Sequence, residues 1–367
     1  MNPLRLAPLT RRSLLLAGLC SAAGVQALPQ RLLTFPRDFG AHKDYRTEWW
    51  YLTGHATAGD RLFGFQLTFF RSRVDATQGM ASRLAAKQLI FAHAAVTAVQ
   101  GKKLWHDQRI ARSSGAAELD LASASERDTD IALRDWSLQR SAGGYHAHIS
   151  TGDFQLELQF SERQPVLLQG KQGLSSKGPA ASQASYYYSQ PQLGVGGVIT
   201  LKGQQFSLDA RAANAAWLDH EWSEALLHPD AVGWDWIGMN LFDGSALTAF
   251  QLRDKAGAAL WDGGSFRAGG TRAKDAPYIF SRGEVIFRPV RRWKSPLSQA
   301  TYPVEWIVRT PADFYTVKAV IDNQELDSRA STGGIYWEGL SELFDSQGRH
   351  VGRGYLEMTG YASALRI

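Results

Sequence analysis

Cysteine is all but missing from this chain: the one residue, Cys20, lies near the N-terminus, so no intramolecular disulfide can form. Helical periodicity is scarce, with short helix candidates only at residues 80–90 and 221–227. No apolar run is long enough to cross a bilayer as a permanent helix. Three familiar catalytic signatures are absent: Gly-x-Ser-x-Gly, the Walker A loop and Ser-x-x-Lys. His220-Glu221 opens like a zinc-protease motif, but Glu224 stands where the second histidine belongs. His146 and His148 share a strand face without a third ligand, so neither a metal nor a cofactor is expected.

The N-terminus carries the marks of an export leader. Arg5, Arg11 and Arg12 precede an apolar run, and Thr10-Arg11-Arg12-Ser13-Leu14-Leu15 fits the twin-arginine pattern. Val25-Gln26-Ala27 has the spacing for cleavage after Ala27, so residues 1–27 are read as a removable signal and the protein as periplasmic. Lipid attachment at Cys20 ranks second, because Leu19 occupies a place where lipidation wants a small residue. Without the leader, 37 basic and 35 acidic residues leave a net charge of +2. No basic tail or stripe remains to serve a nucleic acid. Arg288, Arg291, Arg292 and Lys294 around Trp293 read as a solvated hairpin.

Strand alternation dominates the rest of the chain. Phe63, Phe65, Leu67 and Phe69 alternate with smaller or polar residues, as do Phe154, Leu156, Leu158 and Phe160. Further strands are expected at 194–201, 304–309, 315–321 and 354–361, with turns at Gly59-Asp60, Asp243-Gly244, Gly263-Gly264 and Gly333-Gly334. Many short strands with frequent turns mean an all-β sandwich or barrel. A repeat is also visible. Trp49, Tyr51, Gly59 and Phe65-Gln66-Leu67 recur, at one offset of 185 residues, as Trp234, Trp236, Gly244 and Phe250-Gln251-Leu252. Two duplicated domains are expected, 28–212 and 213–367, because Ala-Ala-Asn-Ala-Ala after Arg211 breaks the alternation. Residues 170–185 read as a long loop of the kind that carries function.

Six segments stand out as motifs: FPRDFGAHKDYRTEWWYLTGH (Phe35 to His55), FGFQLTFFR (Phe63 to Arg71), FAHAAVT (Phe91 to Thr97), SYYYSQPQL (Ser185 to Leu193), WLDHEW (Trp217 to Trp222) and GWDWIGMNL (Gly233 to Leu241). As a set they resemble the AttH-like family, which includes bacterial carotenoid hydratases and many secreted proteins. The resemblance implies two lipocalin-like β-barrels packed together. It does not imply one activity, since hydratases and guides of pericyclic cyclisation share the scaffold. The carotenoid-hydratase branch carries an aspartate near Gln251, and glutamine cannot protonate an alkene.

The richest candidate segment is Trp217-Leu218-Asp219-His220-Glu221-Trp222. If extended, it puts Leu218, His220 and Trp222 on one face and Trp217, Asp219 and Glu221 on the other. Hydrating an alkene needs an acid, a stabiliser for the cation and a base for the water. Asp219 or Glu221 would be the acid, kept protonated by an apolar cleft. Trp222, Trp234 and Trp236 would face the cation, and His220 would take the proton. The first half adds Glu48, Trp50, Tyr51, Gln66, Arg71 and His93, although His93 reads more readily as a satisfied core histidine. Tyr186, Tyr187 and Tyr188 point to alternate faces, and Tyr187 is the one assigned to ligand, as is Gln251. The expected ligand is a hydrophobic, isoprenoid or lipid-like molecule held at the domain junction. A non-catalytic lipid carrier is the competing reading.

The leader makes its own prediction. Changing Arg11 and Arg12 together to Lys should trap the protein in the cytoplasm, read by cell fractionation. Ordinary periplasmic yield from that variant would sink the twin-arginine assignment.

Overall fold

The computed structural model describes residues 27–365 apart from 117, 142, 211, 212 and 226, so the leader lies outside the described residues. The chain is all-β, with two large antiparallel sheets. Across the first, the main strands run Lys103–Ser113, Gln88–Ala98, Arg61–Arg73, Thr47–Ala58, Ala215–Ser223, Ala184–Leu201, Phe154–Ser161, Gly144–Ser150, Trp136–Ser141, Asp130–Leu133 and Ala122–Ala124. Lys103–Ser113 returns against Ala122–Ala124 and Asp130–Leu133, so this sheet is a nearly closed barrel. The second runs Tyr278–Phe280, Ala259–Arg267, Ala246–Arg253, Gly233–Leu241, His350–Met358, Gly334–Phe344, Phe314–Ala319, Thr301–Arg309 and Ile286–Lys294.

The two sheets are wound alike. In each, the opening strand lies between its hairpin partner and the last strand of the same half. That shared winding bears out the duplication but moves its boundary. Ala215–Ser223, expected to open the second domain, pairs with both Thr47–Ala58 and Ala184–Leu201 and so completes the first barrel. The division falls between Ser223 and Gly233, not at 212/213. The break at Ala-Ala-Asn-Ala-Ala is local, whereas sheet membership is decided by which strand edge needs a partner.

The single offset also fails on the return strands. Tyr51 pairs with Thr68, but Trp236 pairs with Phe250, so the second hairpin is three residues shorter. An odd shift flips every side chain to the other face of the sheet. Phe65 and Leu67 accordingly fill the first barrel, while Phe250 packs at the junction. Residues 80–90 are loop followed by strand, and the strand runs through Glu221 to Ser223, so neither helix candidate forms. Gly263 and Gly264 lie within a strand rather than a turn. Gly264 has φ +146°, and a Cβ there would sit 2.1 Å from the Thr248 carbonyl oxygen, so the position demands glycine.

Three apolar clusters organise the packing. One fills the first barrel, including Trp50, Leu218, Tyr186, Tyr188 and Trp222. A second fills the other half around Ile237, Met239, Trp306 and Trp337. The third lies between them, around Tyr51, Trp217, Trp236 and Phe250. The segment before the first strand plugs the first barrel. Trp50 Nε1 and Thr129 Oγ1 donate to the Phe39 carbonyl, at 3.2 and 2.9 Å. Behind Phe39, Glu48 accepts from Arg71 Nε at 2.7 Å and from the His42 amide at 2.8 Å. His42 Nδ1 and His220 Nε2 contact the same carboxylate at 2.7 and 2.8 Å. Burial alone would raise the Glu48 pKa, yet these partners hold it well below the ordinary carboxylate range.

Removing one member of a buried ion pair strands the other. Glu48→Gln should therefore cost ~3–5 kcal/mol in urea denaturation. The double variant Glu48→Gln/Arg71→Met should recover part of that loss. Equal stability of Glu48→Gln and wild type would contradict this account of the plug.

Candidate functional site

A cavity of about 810 Å³ lies between the barrels, walled largely by apolar and aromatic groups. It exists because the outer faces of the two opening strands meet. Trp49 and Tyr51 project from Thr47–Ala58, and Trp234 and Trp236 from Gly233–Leu241. Tyr51 and Trp236 pack edge to face with centroids 5.2 Å apart.

Asp219 stands beside Tyr51 and Ser189 in strand register and is almost fully buried. Its carboxylate accepts three hydrogen bonds: from Ser189 Oγ at 2.5 Å, Trp217 Nε1 at 2.6 Å and the Tyr187 hydroxyl at 2.6 Å. Burial pushes its pKa up to about 7, against the lowering pull of those donors, with the Glu221 charge adding to the rise. Glu221, two residues on, pairs with Lys177 Nζ at 3.0 Å and accepts from Ser185 Oγ. Lys177 lies over the rings of Tyr187 and Phe250, 4.8 and 4.3 Å from their centroids. The expected functional loop thus delivers a buried cation, just beyond the short strand Leu174–Ser176.

Facing these groups from the second half are Tyr336, Glu338 and Glu357. Glu338 and Glu357 are directly opposite on adjacent strands. Both carboxyls are pushed upward, first by burial and then by neighbouring carboxylates. His93 bridges the halves, its Nδ1 2.9 Å from the Tyr336 hydroxyl and its Nε2 2.8 Å from Ser331 Oγ. Burial lowers His93 to about 3, so it is neutral at physiological pH. It is both a satisfied histidine and a cavity wall.

Of the residues expected at the site, Tyr51, His93, Tyr187, Asp219, Glu221, Trp234 and Trp236 line the cavity. The alternation predicted for the Trp217–Trp222 segment holds, and for that reason it divides the proposed catalytic set. His220 and Trp222 point with Trp50 into the first barrel. His220 lies between Glu48 and the Tyr188 hydroxyl, and burial lowers its pKa to about 4. Gln66 donates to Thr68 at 2.5 Å beside the cavity. Gln251 lies inside the second half, donating to Asp235 at 2.7 Å, so its identity does not bear on the cavity. His146 and His148 both contact Glu157, at 2.6 Å each. Three donor atoms of His42, Glu48 and His220 lie within 4.8 Å of one another. The Arg71 guanidinium on the same carboxylate opposes a cation there.

Sequence reasoning passed over Tyr336, Glu338 and Glu357. An acid alternating with apolar residues in a strand reads as a solvent face. The usable signal was that both halves put aromatic residues on the outer faces of their opening strands, which therefore had to be covered.

The AttH-like family matches residues 26–361. A crystal structure of an AttH homologue from Nitrosomonas europaea superposes with a TM-score of 0.82 at 42% identity, covering 91% of this chain and 99% of that one. Kievitone hydratase from Nectria haematococca gives a TM-score of 0.68 at 12% identity, over 91% and 94% of the two chains. CghA bound to Sch210972 gives 0.51 at 11% identity, over 86% and 88%. The last two share the fold, which is lipocalin-like in each half. No curated protein sequence matches the chain.

Asp219 yields a pH prediction with a definite sign. Its folded pKa is raised from 3.8, so the stability it confers is present at low pH and is lost as pH rises towards about 7. Asp219→Asn lacks that loss. The stability of Asp219→Asn minus that of wild type should therefore increase from pH 4 to pH 7. A difference independent of pH would show that Asp219 titrates normally.

Proposed function

The chain belongs to the AttH-like family, and from that premise we propose that it adds water to, or removes it from, a hydrophobic unsaturated ligand held between the barrels. One observation carries the reading: Asp219, in an apolar aromatic cavity, is poised to exchange a proton near pH 7. A group with that pKa is near the optimum for general acid–base work at neutral pH. The rings of Tyr51, Trp234 and Trp236 supply π faces for a passing cation. The Glu221 charge is offset by Lys177, which leaves Asp219 as the proton-transfer group among Asp219, His220 and Glu221. His220 acts on the plug instead, through Glu48. That one structural relative is named a hydratase adds support of fold alone. An isoprenoid or lipid-like ligand suits the size and walls of the cavity, and export to the periplasm belongs to the same proposal. The family match begins at residue 26, beside the expected cleavage point.

The aromatic wall alone also suits a carrier, and the two readings part in one experiment. Lipid co-purifying with the periplasmic protein is identified by mass spectrometry. Turnover and affinity for it are then measured for wild type, Asp219→Asn and Glu221→Gln. For an enzyme, Asp219→Asn should lose ~10²–10⁴-fold in rate with affinity retained. Binding without conversion by wild type, and equal binding by both variants, would establish the carrier.

A further inference from the structure

We propose that Glu338, with Glu357 beside it, is the proton donor to the ligand in this cavity, and that Asp219 is the base across from it. The inference rests on the acid–base reading of Asp219 and deepens it. Glu338 and Glu357 occupy directly opposed positions on the antiparallel strands Gly334–Phe344 and His350–Met358. Opposed residues on one sheet face have Cβ atoms about 4.5–5.5 Å apart, so the carboxyls are neighbours. Both line the cavity, and Glu338 is only 2% exposed.

The surrounding charges settle what such a pair must do. The groups facing it are Tyr51, Tyr336 and Tyr355, the indole of Trp234, and the carboxyls of Asp219 and Glu221. No lysine or arginine pairs with either glutamate among the described residues, and Lys177 is engaged by Glu221. Two adjacent buried carboxyls without a cation cannot both ionise, so at least one proton is shared between them. Burial and the like charge hold Glu338 protonated well above the ordinary range. The Tyr51 and Tyr336 hydroxyls are its side-chain neighbours, and neither its Oε1 nor the Tyr51 hydroxyl has any other partner.

Asp219 is raised by burial too, but only to about 7. Three donors converge on it and favour its ionised form. Two carboxyls raised to different extents in this way can divide the roles of acid and base at one pH. The chemistry then balances with water as the co-reactant. The Glu338 O–H bond breaks as its proton forms a C–H bond with one alkene carbon, and the π pair leaves a cation on the other. Water adds its oxygen there, and its released proton passes to Asp219. Asp219 returns that proton to solvent, and solvent reprotonates the glutamate pair. The reverse sequence dehydrates an alcohol. A carboxylic acid can protonate carbon this way only where the cation is stabilised. The substrate class is therefore a neutral hydrophobic alkene giving a tertiary or allylic cation, or the matching alcohol.

Infrared difference titration of the mature chain tests the pair without needing turnover. At pH 7 the wild type should show protonated-carboxyl C=O absorption, one component of which is lost in Glu338→Gln and kept in Asp219→Asn. In Glu357→Gln the same band should titrate at lower pH, because the like charge has gone. Geranylgeraniol is the ligand probe, with binding read by tryptophan quenching. A bound probe should shift the band in wild type. On whatever ligand wild type converts, Glu338→Gln should lose ~10²–10⁴-fold in rate, and Glu338→Asp should keep part of it. No band at pH 7, a band unchanged in Glu338→Gln, or a band unmoved by bound probe each overturns the assignment. If geranylgeraniol quenches nothing, the isoprenoid reading of the cavity fails, and the infrared result still decides the glutamate pair.

Discussion

Everything in this molecule turns on one strand buried on both faces. Ala215–Ser223 has no exposed residue, yet three of its nine residues are ionisable. A strand with one wet face could leave its acids in water. Here each must find partners, and the two faces find them in different compartments. His220 meets Glu48 and Tyr188 inside the first barrel, while Asp219 and Glu221 meet Tyr187, Ser189, Ser185 and Lys177 at the junction. Closing the first barrel and covering its outer face are thus coupled demands on the same few residues.

The same physics produces opposite outcomes on the two sides. Inside the barrel, Glu48 is desolvated but surrounded by a guanidinium, two imidazoles and a backbone amide, so it remains ionised. At the junction, Glu338 is desolvated among tyrosines and other carboxyls, so its pKa is pushed up and the protonated form is favoured. Burial enters both cases with the same sign. The local supply of cations decides which way the proton goes, and it separates a group that fastens the fold from one available for chemistry.

Much of the fold was legible because alternation is a local property. The faces assigned to Leu218, His220 and Trp222 against Trp217, Asp219 and Glu221 were correct, since extended backbone admits no other arrangement. Quantities that depend on partners were not legible. The boundary at 212/213 missed a strand whose sheet is fixed by pairing with residues far away in sequence. The equation of Gln66 with Gln251 failed because three residues lost from a hairpin invert a face without disturbing a motif. The candidate site was half visible for the same reason. Asp219 announced itself by the density of its neighbours, whereas Glu338 and Glu357 become a pair only when strands 334–344 and 350–358 align.

That the site lies between the barrels rather than inside one is a consequence of how each interior is filled. The first is occupied by Trp50, Tyr186, Tyr188 and Trp222 and stopped by the segment carrying Phe39 and His42, and the second by its own aromatic core. A ligand inside either would have to displace packed side chains, at ~2–5 kcal/mol for each large group. At the junction a cavity is already open between the outer faces, and a ligand there displaces no packed side chain. The two carboxyls proposed for proton transfer are then contributed separately, Asp219 by the first half and Glu338 by the second. Neither half alone holds both, so the cavity depends on the two halves being packed together.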